Sequence, residues 1–187
     1  MQDRLKRIEQ DQEDMVARLE IAMRDILDTI KSYDNVKYPD HSDNLRYIFD
    51  IRTLPWDTYL VNKIPSLDQV IDNPIAVRTL SPDALSGLYG LRSLRLELFS
   101  DASKFKDQTK KYQETSDPDT KKRVVEYAMV STKDFQEIMT RSFNILCVER
   151  NRINDGEPKT GNYFISKIEG QPTCPDIKLN PLREPSS

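Results

Sequence analysis

The side chains that most often carry out catalysis or bind metals are few in this chain and widely spaced. His41 is the only histidine, and Cys147 and Cys174 are the only cysteines. A zinc site of the His-Glu-x-x-His type and a cluster of several histidines are therefore excluded. A Cys–His catalytic pair would need His41 to meet a cysteine through the fold, and no local pattern indicates that it does. The sequence predicts no catalytic residue, no metal site and no cofactor.

Other reactive patterns are incomplete. Gly87 and Gly90 stand alone in a helical segment, so they do not form a glycine-rich phosphate loop. Carboxylates are abundant, but a di-iron bundle also needs Glu-x-x-His, which the chain lacks. Arg150, Asn151 and Arg152 are similar to a helix end in small helical ribonucleases, yet no histidine follows them as general acid or base. These patterns favour a protein that is not an enzyme.

The two cysteines are too few for a disulfide framework in a chain of 187 residues. Cys147 lies in an apolar run, where we expect a small buried thiol. Cys174 lies among prolines, where we expect a free, exposed thiol. No signal peptide and no transmembrane segment is recognisable. These features together predict a reducing, cytoplasmic location.

The composition predicts an all-α protein. Apolar residues make up 37% of the chain and charged residues 32%, which is typical of long helices with one buried stripe and a wide solvated face. The formal net charge of −3 argues against a dedicated nucleic-acid binder, which usually carries a basic surface.

Residues 1–34 predict one amphipathic helix that resembles a coiled-coil arm. Apolar residues recur at steps of three and four along a narrow seam, as in a helix that pairs with one partner helix. We expect this seam to mediate oligomerisation; its positions are Leu5, Ile8, Gln12, Met15 and Leu19. The polar Gln12 either sets register and oligomeric state or is a frayed, half-solvated position.

Residues 35–154 predict a helical bundle around a long antiparallel hairpin. Four prolines interrupt residues 35–80, which we expect to form short connector helices. The hairpin begins at Ser81, an N-cap followed by proline, and ends near Asn154. Its turn falls at residues 114–117. Residues 155–187 are rich in proline, and we expect an extended or disordered tail.

The apolar positions of the hairpin predict which sides are buried. We expect Phe135 to pack near Leu94 and Leu98, because the two arms run antiparallel. We expect Gly87 and Gly90 to admit a close neighbour, for instance Trp56. We also expect a second buried face early in the first arm, formed by Leu85, Tyr89, Leu96 and Phe99. In the connector, we expect the apolar residues to pack on the bundle; these are Leu67, Val70, Ile71, Ile75 and Val77.

The predicted tip of the hairpin is locally basic. Seven basic residues outnumber four acidic ones there, which would suit anionic lipid headgroups or a nucleic-acid backbone. A solvated tip of mixed charge is the plainer interpretation. The basic residues of this patch are Lys104, Lys106, Lys110, Lys111, Lys121, Lys122 and Arg123.

Two short motifs resemble a broad group of uncharacterised bacterial membrane-anchored helical-bundle proteins. They are the connector at residues 54–60, which contains Pro55 and Trp56, and the helix start at Ser81, Pro82 and Asp83. The resemblance covers about residues 1–150 and implies a helical bundle next to a membrane anchor. It implies no catalytic residue. No anchor segment is recognisable within residues 1–187.

The sequence therefore predicts a non-enzymatic helical interaction and oligomerisation module that is cytoplasmic and close to a membrane. Its partner would be a second copy, bound through the N-terminal helix, or another protein. One alternative is a regulatory partner or inhibitor, of the kind found in conflicts between phage and host. Another is a helical protein that contacts nucleic acid or lipid through the basic tip.

Overall fold

The protein is all-α, as the sequence predicts. The structure, a computed structural model, describes residues 2–34, 64–114, 118–157, 159 and 174; of these it describes the side chains of 2–31, 64–101, 119, 130, 131, 133–157, 159 and 174. No strand occurs in these ranges, and none of their helices is long and apolar enough to cross a membrane. The five helices that the ranges contain are α1 (Gln2–Asp34), α2 (Pro65–Ile71), α3 (Pro74–Thr79), α4 (Pro82–Glu114) and α5 (Pro118–Asn154).

Helices α4 and α5 form the expected antiparallel hairpin. Ser81, just before α4, contacts Glu149 near the end of α5, and Gly87 lies against Ile145 one turn further along. Helix α1 packs along α5 and also contacts α2 and α3, which in turn touch α4. One side of the hairpin is therefore covered by the first three helices.

Local signals predict the ends of the hairpin correctly. The Ser81 hydroxyl accepts a hydrogen bond from the backbone N–H of Ala84 at 3.2 Å, as an N-cap does. Helix α5 ends at Asn154, and Gly156 follows with a φ of 68°. The N–H of Glu157 bonds back to the carbonyl of Arg152 at 3.0 Å, which closes the helix as in a Schellman motif. The expected turn at 114–117 lies mostly outside the described residues.

The core lies between α1, α2 and the inner sides of the hairpin. It joins buried α1 residues from Met15 to Ile30 with Leu67, Val70 and Ile71 of α2. From the hairpin it includes Leu88, Leu91, Phe135, Met139, Phe143 and Leu146. Phe135 is buried, as expected. From Met15 onward, α1 is thus part of the same core as the bundle.

Several apolar residues that the sequence places inside are exposed. Val77 projects from the six-residue helix α3, which has only one covered side. Tyr89, Leu94 and Leu96 are also exposed on α4. The stripe on α4 is wider than the described helices cover, because the first three of them pack on one side of the hairpin. The expectation that these four residues are buried was therefore wrong.

The two glycines of α4 differ in what surrounds them. A Cβ at Gly87 would lie 2.9 Å from Cδ1 of Ile145, so the absent side chain does admit a close neighbour. That neighbour is α5, whereas Trp56 lies outside the described residues. A Cβ at Gly90 would meet nothing within 4 Å. The close-approach prediction is therefore confirmed at Gly87 and wrong at Gly90 for the described part of the chain.

Candidate interaction surfaces

The N-terminal end of α1 carries apolar side chains that the described part of the chain does not cover. Leu5 is 57% exposed and Ile8 46% exposed, whereas Met15 and Leu19, further along the same seam, are completely buried. Gln12, between the two pairs, is half-buried. The five predicted seam residues thus divide into an exposed pair, a boundary residue and a pair that packs in the chain's own core.

The exposed pair lies on a part of α1 that extends past the end of α5. Gln12 and Val16 lie in a recess beside Ile153 and Asn154, the last residues of α5. One side of α1 is buried between Met15 and Ile30, where the helix packs along α5. Residues 2–10 therefore project beyond the C-terminal end of α5. This projecting end, which we call the overhang, spans about 14 Å at roughly 1.5 Å per residue.

An ion pair marks the base of the overhang. Arg78 of α3 and Asp11 of α1 lie 3.1 Å apart, between Nη2 and Oδ2. Residues 2–10 before this contact are all exposed. The overhang contains three basic side chains, of Arg4, Lys6 and Arg7, against two acidic ones.

A second surface, the apolar groove, lies between α4 and α5. It has a volume of about 780 Å³, and most of its lining is apolar. On the α4 side the groove is open at Gly90, which has no side chain and no neighbour within 4 Å of a Cβ position. Leu94, which is 47% exposed, lines the groove further along α4. The residues that line it are Asp83, Gly87, Gly90, Leu91, Leu94, Arg141, Asn144, Ile145 and Val148.

The groove continues toward the hairpin tip as an acidic extension. Leu91, Leu94 and Arg141 line both parts, so the two adjoin. Four carboxylates line the extension. Arg141 is the only basic residue among its described lining residues, and it pairs with one of the four. These carboxylates belong to Glu97, Asp101, Asp134 and Glu137.

A buried ion pair joins the base of the hairpin. Glu149 accepts hydrogen bonds from the backbone N–H of Ser81 at 2.9 Å and from its hydroxyl at 2.7 Å. Arg152 donates to the same carboxylate and to the carbonyls of Thr79 and Glu157. Sequence reasoning noted Arg152 only as part of an incomplete ribonuclease pattern and missed Glu149. The spacing of three residues is the only local sign of the pair.

The buried ion pair of Glu149 and Arg152 affects the pKa of a nearby lysine, Lys159. The amine of Lys159 donates to the carbonyl of Val77 at 3.5 Å. Partial burial lowers the pKa of Lys159, and the positive charge of Arg152 lowers it further, whereas Glu149 opposes this change. The carboxylate of Glu149 is enclosed by its donors, so the arrangement fastens α4 to α5 and leaves no face for a substrate.

A second charge cluster fastens α2 to α4. Asp68 pairs with the buried Arg95, and Arg92 pairs with Asp72 at 2.6 Å. The hydrogen bond to Asp72 raises the pKa of Arg92, although desolvation opposes the change. On the other side of α2, the hydroxyl of Ser66 donates to a carboxylate of α1 at 2.6 Å. These contacts fix the seven-residue helix α2 against α1 and α4.

The cysteines form a disulfide, which corrects the expectation of two free thiols. Cys147 and Cys174 are bonded, with their Cα atoms 6.0 Å apart. Asn151, one turn after Cys147, places its side-chain amide 3.9 Å from the sulfur of Cys174. A disulfide persists in oxidising surroundings, so the cysteines no longer argue for a reducing compartment. The pairing was missed because a single pair 27 residues apart has no spacing signature.

Several predicted features lie outside the described residues. These are His41 and Trp56, and the side chains of the basic patch on the hairpin. Among the described residues, no group of three or more histidine, cysteine or carboxylate side chains is placed to hold a metal ion.

Comparisons with known proteins identify no relative. No family model matches the chain, and neither a curated protein nor a solved structure matches it. The resemblance to membrane-anchored helical-bundle proteins therefore stays a prediction from the sequence.

Proposed function

We propose that the protein is a non-enzymatic helical interaction module that self-associates through the overhang of α1. The observation that supports this proposal is the exposure of Leu5 and Ile8, three residues apart on one side of a helix end that the described part of the chain leaves uncovered. Such a helix end is marginal in water without packing, so a partner would stabilise it.

The expected affinity is modest. Burying one leucine or isoleucine side chain contributes roughly 1.5–3 kcal/mol. A two-fold dimer buries Leu5 and Ile8 of both copies, or roughly 6–12 kcal/mol in total. Association costs about 4–15 kcal/mol in lost freedom of motion, so only part of this gain remains. The largest net binding energy that these ranges allow is about 8 kcal/mol, which corresponds to a dissociation constant on the order of micromolar. We propose an affinity at this favourable end.

Sedimentation velocity on the full chain tests the proposal. The double substitution Leu5→Asp/Ile8→Asp should leave the protein monomeric, whereas the natural chain should dimerise with increasing concentration. Ile21→Asp is the matched control, because Ile21 is 44% exposed on the same helix but lies beyond the overhang. Neither variant removes a buried side chain, so thermal unfolding of the monomer should change little.

A truncation gives an independent test. A chain that begins at Asp11 keeps the contact with Arg78 and the buried residues Met15 and Leu19, and it should fold as a stable monomer. If the natural chain and this shorter one are both monomeric up to about 100 μM, self-association is refuted, because binding of 8 kcal/mol would give dimers at that concentration. The regulatory alternative, in which the overhang binds a different protein, would then be preferred.

The compartment is tested through the disulfide. A cytoplasmic protein would hold Cys147 and Cys174 reduced, because glutathione and thioredoxin keep thiols reduced there. Lysing cells directly into denaturant that contains a maleimide should label both cysteines if the predicted cytoplasmic location is right, because the denaturant exposes the buried Cys147. Absence of labelling, with labelling restored after reduction, would place the protein in an oxidising compartment.

A further inference from the structure

We infer that the overhang of one copy docks in the apolar groove of a second copy, and that the exchange is reciprocal about a two-fold axis. This inference rests on the proposed self-association and names the surface that receives the overhang. It brings together two surfaces that are uncovered in the described part of the chain: Leu5 and Ile8 on α1, and the groove between α4 and α5.

The direction of α1 supports this docking. Leu5, Ile8, Met15 and Leu19 follow heptad spacing on one continuous helix, so all four point to the same side of it. Met15 and Leu19 pack in the core that α1 shares with α5. The apolar side of the overhang therefore faces the same way as the side of α1 that packs against its own α5. A second hairpin placed end to end with the first would meet that side without any bend in α1.

The positions of α1 and the groove on the hairpin are compatible with a two-fold symmetric dimer. At about 100° per residue, Arg141 and Val148 of the groove lie nearly opposite Met139 and Phe143 on α5, and the latter two belong to the core shared with α1. Helix α1 and the groove thus occupy opposite faces of the hairpin. A two-fold axis that lies in the plane of the hairpin, at right angles to its helices, exchanges these faces. Each overhang then crosses onto the face of the other copy that its described residues leave uncovered. Such an interface is isologous and closes as a dimer.

The chemistry of the two surfaces is complementary. The groove begins at the end of the bundle from which the overhang projects, since Asp83 and Val148 lie near the base of the hairpin. Gly90 leaves room for an approaching helix there, whereas Ile145 already occupies the space beside Gly87. The docked helix would direct its N-terminus, with its positive partial charge, toward the acidic extension. Basic residues outnumber acidic ones on the overhang, and the opposite holds for the groove and its extension.

Cross-linking between two singly substituted chains tests the arrangement. One chain carries Leu5→Cys and the other Asn144→Cys, because Asn144 is exposed and lines the groove. A short bis-maleimide should join the two chains, and the native cysteines do not react because they are bonded to each other. Chains with Ile21→Cys and Asn144→Cys should not be joined, nor should chains with Leu5→Cys and Leu96→Cys.

The outcomes separate this inference from self-association itself. A link between two Leu5→Cys chains, with none to Asn144→Cys, would show that the overhangs pair with each other; the docking would be overturned and self-association would stand. A natural chain that stays monomeric in sedimentation would overturn both. If Asn144→Cys in dilute, monomeric protein resists a small maleimide, the chain covers its own groove, and the docking is again overturned.

A groove-filling variant provides a second measurement that does not depend on cysteine chemistry. A side chain at Gly90 meets nothing within 4 Å at its Cβ, so Gly90→Trp should fold and occupy the groove. It should raise the dissociation constant of the dimer at least tenfold. Leu96→Trp, on an exposed residue outside the groove, should leave the dissociation constant unchanged. Equal affinity for both variants would refute docking in the groove.

Discussion

Replacing Glu149 by alanine should destabilise the fold more than any change on the surface of the hairpin. The carboxylate is buried and receives two hydrogen bonds from Ser81 and several from Arg152. Its removal would leave the Arg152 guanidinium buried without its counter-charge and would leave both donors of Ser81 without their acceptor.

The magnitude follows from these losses. Breaking a buried ion pair from one side typically costs about 3–5 kcal/mol, because the remaining charge stays desolvated. The donors of Ser81 account for part of that loss, since a hydrogen bond to a charged group contributes about 1.5–3 kcal/mol. We therefore expect Glu149→Ala to lower the free energy of unfolding by about 3–5 kcal/mol. Glu137→Ala, which breaks the exposed pair with Arg141, should cost only about 0.3–0.5 kcal/mol.

Urea unfolding followed by far-ultraviolet circular dichroism measures these differences. A double-mutant cycle with Arg152→Met isolates the pair, and Glu149→Ala/Arg152→Met should be less destabilised than the two single changes added together. A loss below about 1 kcal/mol for Glu149→Ala would refute the reasoning, because it would show that water reaches the site and solvates Arg152.

Three further changes probe other parts of the fold by the same unfolding measurement. Phe135→Ala should cost about 3–5 kcal/mol through the cavity it leaves in the core, and a loss under about 1 kcal/mol would mean that the residue is exposed. Cys174→Ser opens a loop that spans 27 residues of sequence and should cost roughly 3–4 kcal/mol; equal stability with and without reductant in the natural chain would contradict this. Gly90→Ala should stabilise by about 0.5–1 kcal/mol, and Gly87→Ala by less, because the side chain of Ile145 must move aside; the reverse order would contradict the packing at Gly87.

Much of the fold could be predicted from local patterns. The N-cap at Ser81 and the end of α5 at Asn154 depend on residues within a few positions of each other, so they can be read along the chain. The same is true of the buried stripe of α1 from Met15 onward, which follows the repeat of the helix. Such features need no knowledge of which element lies next to which.

Parts of the candidate sites depend on distant neighbours and could not be read in this way. Leu5 and Leu19 belong to the same seam, but one is exposed and the other buried because α5 ends between their levels. Glu149 resembles any other acidic residue on a helix until Ser81, 68 residues earlier, is placed beside it. The bond between Cys147 and Cys174 likewise requires the chain to return to α5. Helical periodicity specifies which side of a helix is apolar, whereas the lengths and positions of the neighbouring elements determine how much of that side is covered.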